Sequence, residues 1–382
     1  MKKLIKTIVC LTLGVSLSLA TAACGESESQ SNGISATVRV TEFTSPVPLV
    51  HYNVLAYLQA NPDTLVTGFL NPSVRIDKGC PVEIEYTVDS EQEYSIESAT
   101  VDVSPNADFS VIEQTDELFG MRESVANIYN LKTGVKYYFR VTVQLESGQR
   151  LTGTGSFETM PSPRFINLDG ACNVRDIGGW ITESGKTVKQ GLLYRGSEID
   201  GGKNVGHPDF CLSETGVKQL RSFGIKTDFD LRSEEVKTSE YSILGENVTR
   251  NFYNAYQYQS VFTADAKETT RKIFSDLAKP EAYPVYLHCT HGVDRAGSTS
   301  LLLEALLGVK KEDLIRDYEL SAFYHNYAHV TRNLDNGGTI LKLIAGLEAF
   351  EGETLADKTE AFMLSIGVTQ AEIDSIRSIF LA

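Results

Sequence analysis

The chain has 382 residues, is 42% hydrophobic, and carries 35 Lys and Arg against 50 Asp and Glu, a formal charge of −15. That length exceeds one typical domain and the apolar content is ordinary for globular protein, so two domains with real cores are expected and wholesale disorder is excluded. The acidic balance disfavours nucleic acid or an anionic bilayer surface as a partner of the whole molecule, so any bound anion needs a local site.

Lys2, Lys3 and Lys6 form a basic start, Ile8 to Ala20 an apolar run, and Ala20 to Cys24 a small-residue cleavage region, which together read as a secretory signal over residues 1–23. No later apolar run is long enough to span a bilayer. Cys24 after two alanines resembles the lipobox of bacterial lipoproteins, with Thr21 where that motif prefers leucine. The resemblance implies lipidation at Cys24 and an exported, membrane-anchored protein facing the periplasm or the cell exterior; simple secretion with an ordinary Cys24 is the alternative. Gly25 to Gly33 is polar with no core-forming residue, so residues 24–34 read as a flexible tether.

From residue 35 to about 160 the chain alternates, as in Thr37-Val38-Arg39-Val40, Val82-Glu83-Ile84-Glu85-Tyr86 and Tyr138-Phe139-Arg140-Val141. Period two with turn residues between the runs predicts half-buried strands in an antiparallel, all-β, immunoglobulin-like sandwich. Asn130 to Val141, "NLKTGVKYYFRV", resembles the Leu-x-x-Gly-x-x-Tyr turn of fibronectin type III domains, with Tyr137 as the corner tyrosine; any hairpin with a glycine turn is the alternative. No catalytic constellation occurs in this region, which is expected to act as spacer, lid or docking surface for a protein or glycan.

Pro161 and Pro163 break the alternation, and residues 164–382 follow a different pattern. Helices are expected over 215–223, 266–277 and 297–307, strands over 225–231 and 285–289, and helical wrapping over 311–382. Strands alternating with helices predict an α/β domain with a central, mostly parallel sheet flanked by helices.

Of six cysteines, Cys10, Cys24, Cys80, Cys172, Cys211 and Cys289, none form a Cys-x-x-Cys pair, so neither a disulfide framework nor a zinc ribbon is expected. A single bridge such as Cys172 to Cys211 stays open outside the cytoplasm, as does a reversible link between Cys172 and Cys289. The stretch "HCTHGVDRAGS", His288 to Ser298, lies between an expected strand and an expected helix. Such a loop aims backbone N–H groups into a concavity at a helix N-terminus, which suits a tetrahedral oxyanion. Thr290, His291, Gly292, Val293, Ala296 and Gly297 are the expected lining, and Arg295 offers a planar fork for two phosphate oxygens. The same field favours a thiolate at Cys289, and a thiolate is a nucleophile. Asp294 is placed to protonate a leaving oxygen and later to activate water, with Asp230 as the competing acid or a structural strand-end pair.

Cys289 to Arg295 is Cys-x5-Arg, the signature of the protein tyrosine phosphatase superfamily. With "NVRDIGGW" (173–180), "LLYRGSEI" (192–199), "FDLRSEEV" (229–236) and "DYELS" (317–321), residues 164–382 resemble the bacterial tyrosine/dual-specificity phosphatases. The resemblance implies Cys289 as nucleophile, Arg295 as phosphate binder, Asp294 as general acid, His288 in support, no cofactor or metal, and a phosphorylated protein or small phosphomonoester as substrate. Arg175 and Asp176 either brace the pocket or form a surface ion pair of their own. Trp180 either lines the pocket or packs internally.

Two departures stand out. Ala296 replaces the usual Ser or Thr, which implies slow turnover, and Val293 stands where phosphoinositide-directed members often carry Lys. An inositol-phosphate or phosphoinositide phosphatase, and a slow phosphate-binding surface module, remain as alternative readings, and a surface adhesin centred on residues 35–159 is a third. Metal ligation by His288, Cys289, His291 and Asp294 is disfavoured by crowding and by Arg295. His325 and His329, four apart, suit a shared metal or a solvated helical face.

Overall fold

A computed structural model describes residues 33–382 except 72, 119–122, 162, 203, 205, 237–238, 325–329 and 333–338. The expected signal segment, Cys24, the tether up to residue 32, and His325 and His329 lie outside the described residues.

Period-two alternation becomes strands where expected. β1 (Ala36–Val40), β2 (Val82–Ser90) and β5 (Glu123–Ile128) make one antiparallel sheet in the order β1-β2-β5. β3 (Ile96–Ser104), β4 (Gln114–Leu118), β6 (Lys136–Leu145) and β7 (Arg150–Glu158) make a second, in the order β4-β3-β6-β7. The inward rows, among them Val82, Ile84, Tyr86, Val101, Phe139 and Val141, share one apolar cluster. Tyr137 is buried beside them, and its hydroxyl accepts from the Lys132 N–H at 3.1 Å.

Residues 35–160 are not all β, which corrects the expectation for this stretch. Between β1 and β2 the chain leaves both sheets, forms α1 (Tyr52–Gln59), and sends Val50, Val54, Tyr57, Val66 and Ile76 into the core of the α/β part. The physical reason is legible afterwards: Val50, Val54 and Tyr57 recur at helical spacing, not at period two. The Tyr57 hydroxyl donates to Glu319, and Arg316 donates to the Ala60 carbonyl at 2.8 Å.

The α/β part is built on a six-stranded sheet in the order β12-β11-β13-β10-β9-β8. β10 (Leu193–Gly196), β11 (Thr227–Asp230), β12 (Thr249–Phe252) and β13 (Val285–His288) are parallel, while β8 (Arg164–Phe165) and β9 (Arg175–Asp176) run antiparallel at one edge. β13 lies between β10 and β11 and is buried along its length, which explains its run of Val285, Tyr286 and Leu287 without polar alternation. Around the sheet lie α2 (Glu214–Ser222), α3 (Ala264–Leu277), α4 (Asp294–Leu307), α5 (Lys311–Leu320), α6 (Thr339–Glu348), α7 (Leu355–Ser365) and α8 (Gln370–Phe380). Every residue of α4 from Ala296 to Leu307 is buried, so the helix that follows β13 is anchored on all sides.

The expected handoff at residues 160–164 holds a polar seam. Arg164 donates to the Leu131 carbonyl at 3.0 Å and to Asp176 at 2.9 Å, and Gln190 exchanges hydrogen bonds with Thr133 at 2.8–3.1 Å. Because Tyr57 is fully buried against Phe69 and Phe323, Tyr57→Ala should lower the unfolding free energy of the whole α/β part by about 3–5 kcal/mol. Denaturant melts followed by the far-UV signal check this; a loss below about 1 kcal/mol would show that α1 is peripheral.

Candidate active site

β13 delivers Cys289 to the C-terminal edge of the sheet, the side on which open α/β sheets bind ligands. The chain then turns through Thr290 to Val293 and enters α4. Four successive carbonyls of this turn are claimed from outside it. Thr290 O accepts from the Glu198 N–H at 3.0 Å, His291 O from Asn173 Nδ2 at 3.2 Å, Gly292 O from Arg195 Nη2 at 2.9 Å, and Val293 O from the Gly297 N–H at 2.9 Å. In a trans peptide the N–H points opposite to its carbonyl, so the amides of residues 291–294 face the other way, into the concavity. Gly292 is required on two counts: its φ is +71°, and a Cβ would stand 2.4 Å from the Gly196 carbonyl carbon. α4 begins at Val293 without a side-chain cap, as α3 and α5 do at Thr263 and Lys310, whereas α2, α7 and α8 begin with Ser213, Thr354 and Thr369 side chains accepting from first-turn amides. The N-terminal donors of α4 are left for an anion.

The hands that hold those carbonyls are themselves fixed by one carboxylate. Asp317 on α5 accepts from Arg175 Nε at 2.9 Å and from Arg195 Nη1 at 2.8 Å, all three side chains being fully buried. Arg175 also donates to Asn173 Oδ1 at 2.7 Å, which orients the amide that reaches His291. Burial would raise Asp317, yet Arg175 and Arg195 hold its carboxyl below the usual range. Nearby Glu304 on α4 is pushed well above the carboxylate range by burial and by Asp317.

On the open side, Arg295 is half-buried and donates from Nη1 to the Leu231 carbonyl at 3.2 Å, which leaves most of its fork available. Asp294 is half-buried and accepts from the Tyr258 hydroxyl, which in turn meets the Tyr318 hydroxyl at 2.7 Å. Cys289 is only 2% exposed. His291 stands edge-on to Phe210 at 5.0 Å. Ala296 and Gly297 are buried in the first turn of α4.

Asp230 belongs elsewhere. Burial opposes its ionisation, but His288, Arg232 and Arg250 hold its carboxyl well below the usual range, with Arg232 Nε at 2.9 Å and Arg250 Nη2 at 2.7 Å. Its carboxylate is engaged by two arginines at the end of β11, an environment suited to strand-end pairing. Arg175 braces the loop, but its partner is Asp317; Asp176 accepts from Arg164 and from the Gly178 and Gly191 N–H groups and does not touch the loop. The surface ion pair between the two does not form. Trp180 is buried in the main core. Cys80, Cys172, Cys211 and Cys289 are all free thiols, and burial pushes Cys172 up to about 12, which suppresses its thiolate.

Arg195, Asp317 and Asn173 sat inside recognised sequence blocks without an assigned role, and only the third dimension gives them one. Tyr258 carried no sequence signal: it arrives from a 3-10 turn, Tyr258–Phe262, with φ +53°.

Removing one partner of a buried ion pair strands the other charge, so Asp317→Asn should destabilise the protein by about 3–5 kcal/mol and weaken inorganic-phosphate inhibition. Unfolding and inhibition measured together decide this; unchanged phosphate inhibition would mean that Arg195 holds the loop unaided. His288 is buried, which lowers its affinity for a proton, but Asp230 and Asp228 raise it further, and its Nε2 lies 2.9 Å from Asp228. The stability from that charged pair is fully present below the unfolded imidazole value of about 6.5 and is lost as pH rises through the higher folded value. Urea melts of the wild type and His288→Asn should therefore differ most at acid pH and converge toward alkaline pH; a gap that widens with pH contradicts the paired imidazolium.

A sequence model of the tyrosine phosphatase family matches residues 166–382. A Cupriavidus necator protein named "Putative tyrosine-protein phosphatase" is 27% identical over 206 residues, which cover 48% of this chain and 69% of that protein. A "Tyrosine-protein phosphatase" of Nostoc commune is 23% identical over 134 residues, which cover 30% of this chain and 46% of that protein. The family match takes in β9 to β13, α2 to α8 and the whole loop from Cys289 to Arg295. On more than half of its length, therefore, the chain belongs to the tyrosine phosphatase family and is a protein-tyrosine-phosphatase-like enzyme.

Proposed function

We propose that the enzyme hydrolyses phosphomonoesters through a cysteinyl-phosphate, with phosphorylated tyrosine, alone or together with phosphoserine and phosphothreonine, as its substrate. The observation that carries this reading is the outward turn of four loop carbonyls around Cys289, which aims the opposite amides at one point beside the Arg295 fork. In the first step the Cys289 thiolate forms an Sγ–P bond, the ester P–O bond breaks, and the leaving oxygen takes the Asp294 proton. Loop amides and Arg295 hold the three non-bridging oxygens. In the second step Asp294, now a carboxylate, takes a proton from water, the water oxygen bonds to phosphorus, and the Sγ–P bond breaks to release inorganic phosphate and the thiolate.

Tyr258 steers the acid by its hydrogen bond to Asp294. The names of the two relatives support a preference for phosphorylated tyrosine. Ala296 supplies no hydroxyl beside the thiolate, and the hydroxyl of Ser298 is engaged by the Tyr258 N–H at 2.7 Å. Hydrolysis of the intermediate is accordingly the slower step. The basic and apolar N-terminal sequence supports export, with Cys24 as the lipid anchor, and the Tyr137 to Lys132 hydrogen bond supports a fibronectin type III-like identity for the paired sheets.

With an aryl phosphate, Cys289→Ser should abolish phosphate release, and Asp294→Asn should slow it by about 10²–10⁴-fold for poor leaving groups. The unmodified protein should show a burst of phenol ahead of steady phosphate release. Full release by Cys289→Ser sinks the cysteine mechanism, and phosphate binding without any turnover would establish the binding module instead.

A further inference from the structure

The loop is held from behind by Asn173, and Asn173 is itself held by a residue from outside the family-matching region. Asp77 is 1% exposed, and its Oδ2 accepts the Asn173 backbone N–H at 2.6 Å. Asn173 is a buried residue with φ +53°, a left-handed conformation that needs support, and its side chain donates to His291 O at 3.2 Å. Arg75 grips Asp77 at 2.5 Å, reaches the Ala171 carbonyl at 3.3 Å, and pairs with Asp209, beside Phe210, on which His291 rests. Lys78 donates to the Leu168 carbonyl at 2.6 Å, and Gly79 lies so close to β8 that a Cβ would stand 2.4 Å from Phe165 O. Side chains of the same stretch, Val50, Val54, Tyr57, Val66 and Ile76, complete the α/β core.

We propose that Asp77 is a positioning residue for the phosphate-binding loop, acting through Asn173 on the His291 carbonyl, so that a residue from outside the family-matching region holds the site in shape. This rests on reading Cys289 to Arg295 as the phosphate site. The tether fixes the peptide between His291 and Gly292, and thus aims the Gly292 N–H at a phosphate oxygen. An orphaned Asn173 N–H in a buried setting would release that peptide.

The test is made on the full chain. Inorganic phosphate binding is measured by calorimetry on a Cys289→Ser background, which needs no turnover, and kcat and KM on an aryl phosphate are measured with Cys289 intact. Asp77→Ala should weaken phosphate binding about ten-fold and lower kcat/KM by at least as much, because misaimed donors cost both ground and transition state. Asp77→Asn keeps a carbonyl oxygen for the Asn173 N–H and should stay within about three-fold of the wild type on both readouts, although it loses the same ion pair with Arg75. Tyr57→Phe, on the same segment but without a link to the loop, should lower the melting temperature and leave kcat/KM unchanged. Asn173→Gly retains the left-handed backbone and the Asp77 contact but removes the arm to His291, and it should match Asp77→Ala in phosphate binding.

Asp77→Asn falling as far as Asp77→Ala, or phosphate binding by Asn173→Gly equal to that of the parent, overturns the tether. Should Asp77→Ala not fold, the Asn173→Gly result decides. Phosphate binding that follows these expectations in a protein without Cys289-dependent turnover would uphold the tether and reject the phosphatase reading of the site.

Discussion

One buried carboxylate sets the geometry of the site. An anion-binding loop must turn its N–H groups inward, which forces its carbonyls outward into protein where each needs a donor. Two of the donors come from side chains, Arg195 and Asn173, and both depend on Asp317, the first directly and the second through Arg175. Arginine is suited to this task because one planar fork satisfies a carboxylate and a carbonyl at once without a conformational choice. The arrangement is costly, since three charges are taken out of water, and it is sustained by hydrogen bonds to nearly every polar atom involved.

The same economy separates two kinds of acidic residue around the loop. Asp228 and Asp230 are buried at the end of β11 and saturated by His288, Arg232 and Arg250, so they hold strand ends and the base of the loop in place. Asp294 stands two residues past the loop glycine with a single phenolic partner and partial exposure. A proton donor has to exchange protons with solvent and with a leaving group, and only the second environment allows that. In the proposed mechanism the buried thiol and the accessible acid come from the same sequence segment, because the strand that ends at His288 leads through the loop into the helix that begins with Asp294.

Much of this was legible in the sequence. The run Val285 to Leu287 announces a buried strand and the glycine at 292 a left-handed turn, because each is a local demand of packing or backbone sterics. Asp176, by contrast, was grouped with Arg175 because they are adjacent, whereas strand geometry turns neighbours to opposite faces and gives them different partners. The pairing of Arg175 with Asp317 spans 142 positions and that of Tyr258 with Asp294 spans 36, and no local pattern encodes such contacts. The helix α1 was missed for a different reason: strands on both sides set the expected period, and its two buried anchors, Val54 and Tyr57, follow another.

The N-terminal sheets and the α/β part meet through a segment that belongs structurally to both, since residues between β1 and β2 supply core side chains to the neighbour. The proposed mechanism makes the Cys289 sulfur the atom that takes the phosphoryl group. Acid quenching of the enzyme during turnover of an aryl phosphate, followed by mass mapping of the peptides, tests that claim most directly. The account predicts a phosphate adduct on the peptide carrying Cys289, absent after Cys289→Ser and enriched because the second step is slow. Turnover with no adduct on any cysteine, or an adduct on another residue, would contradict it.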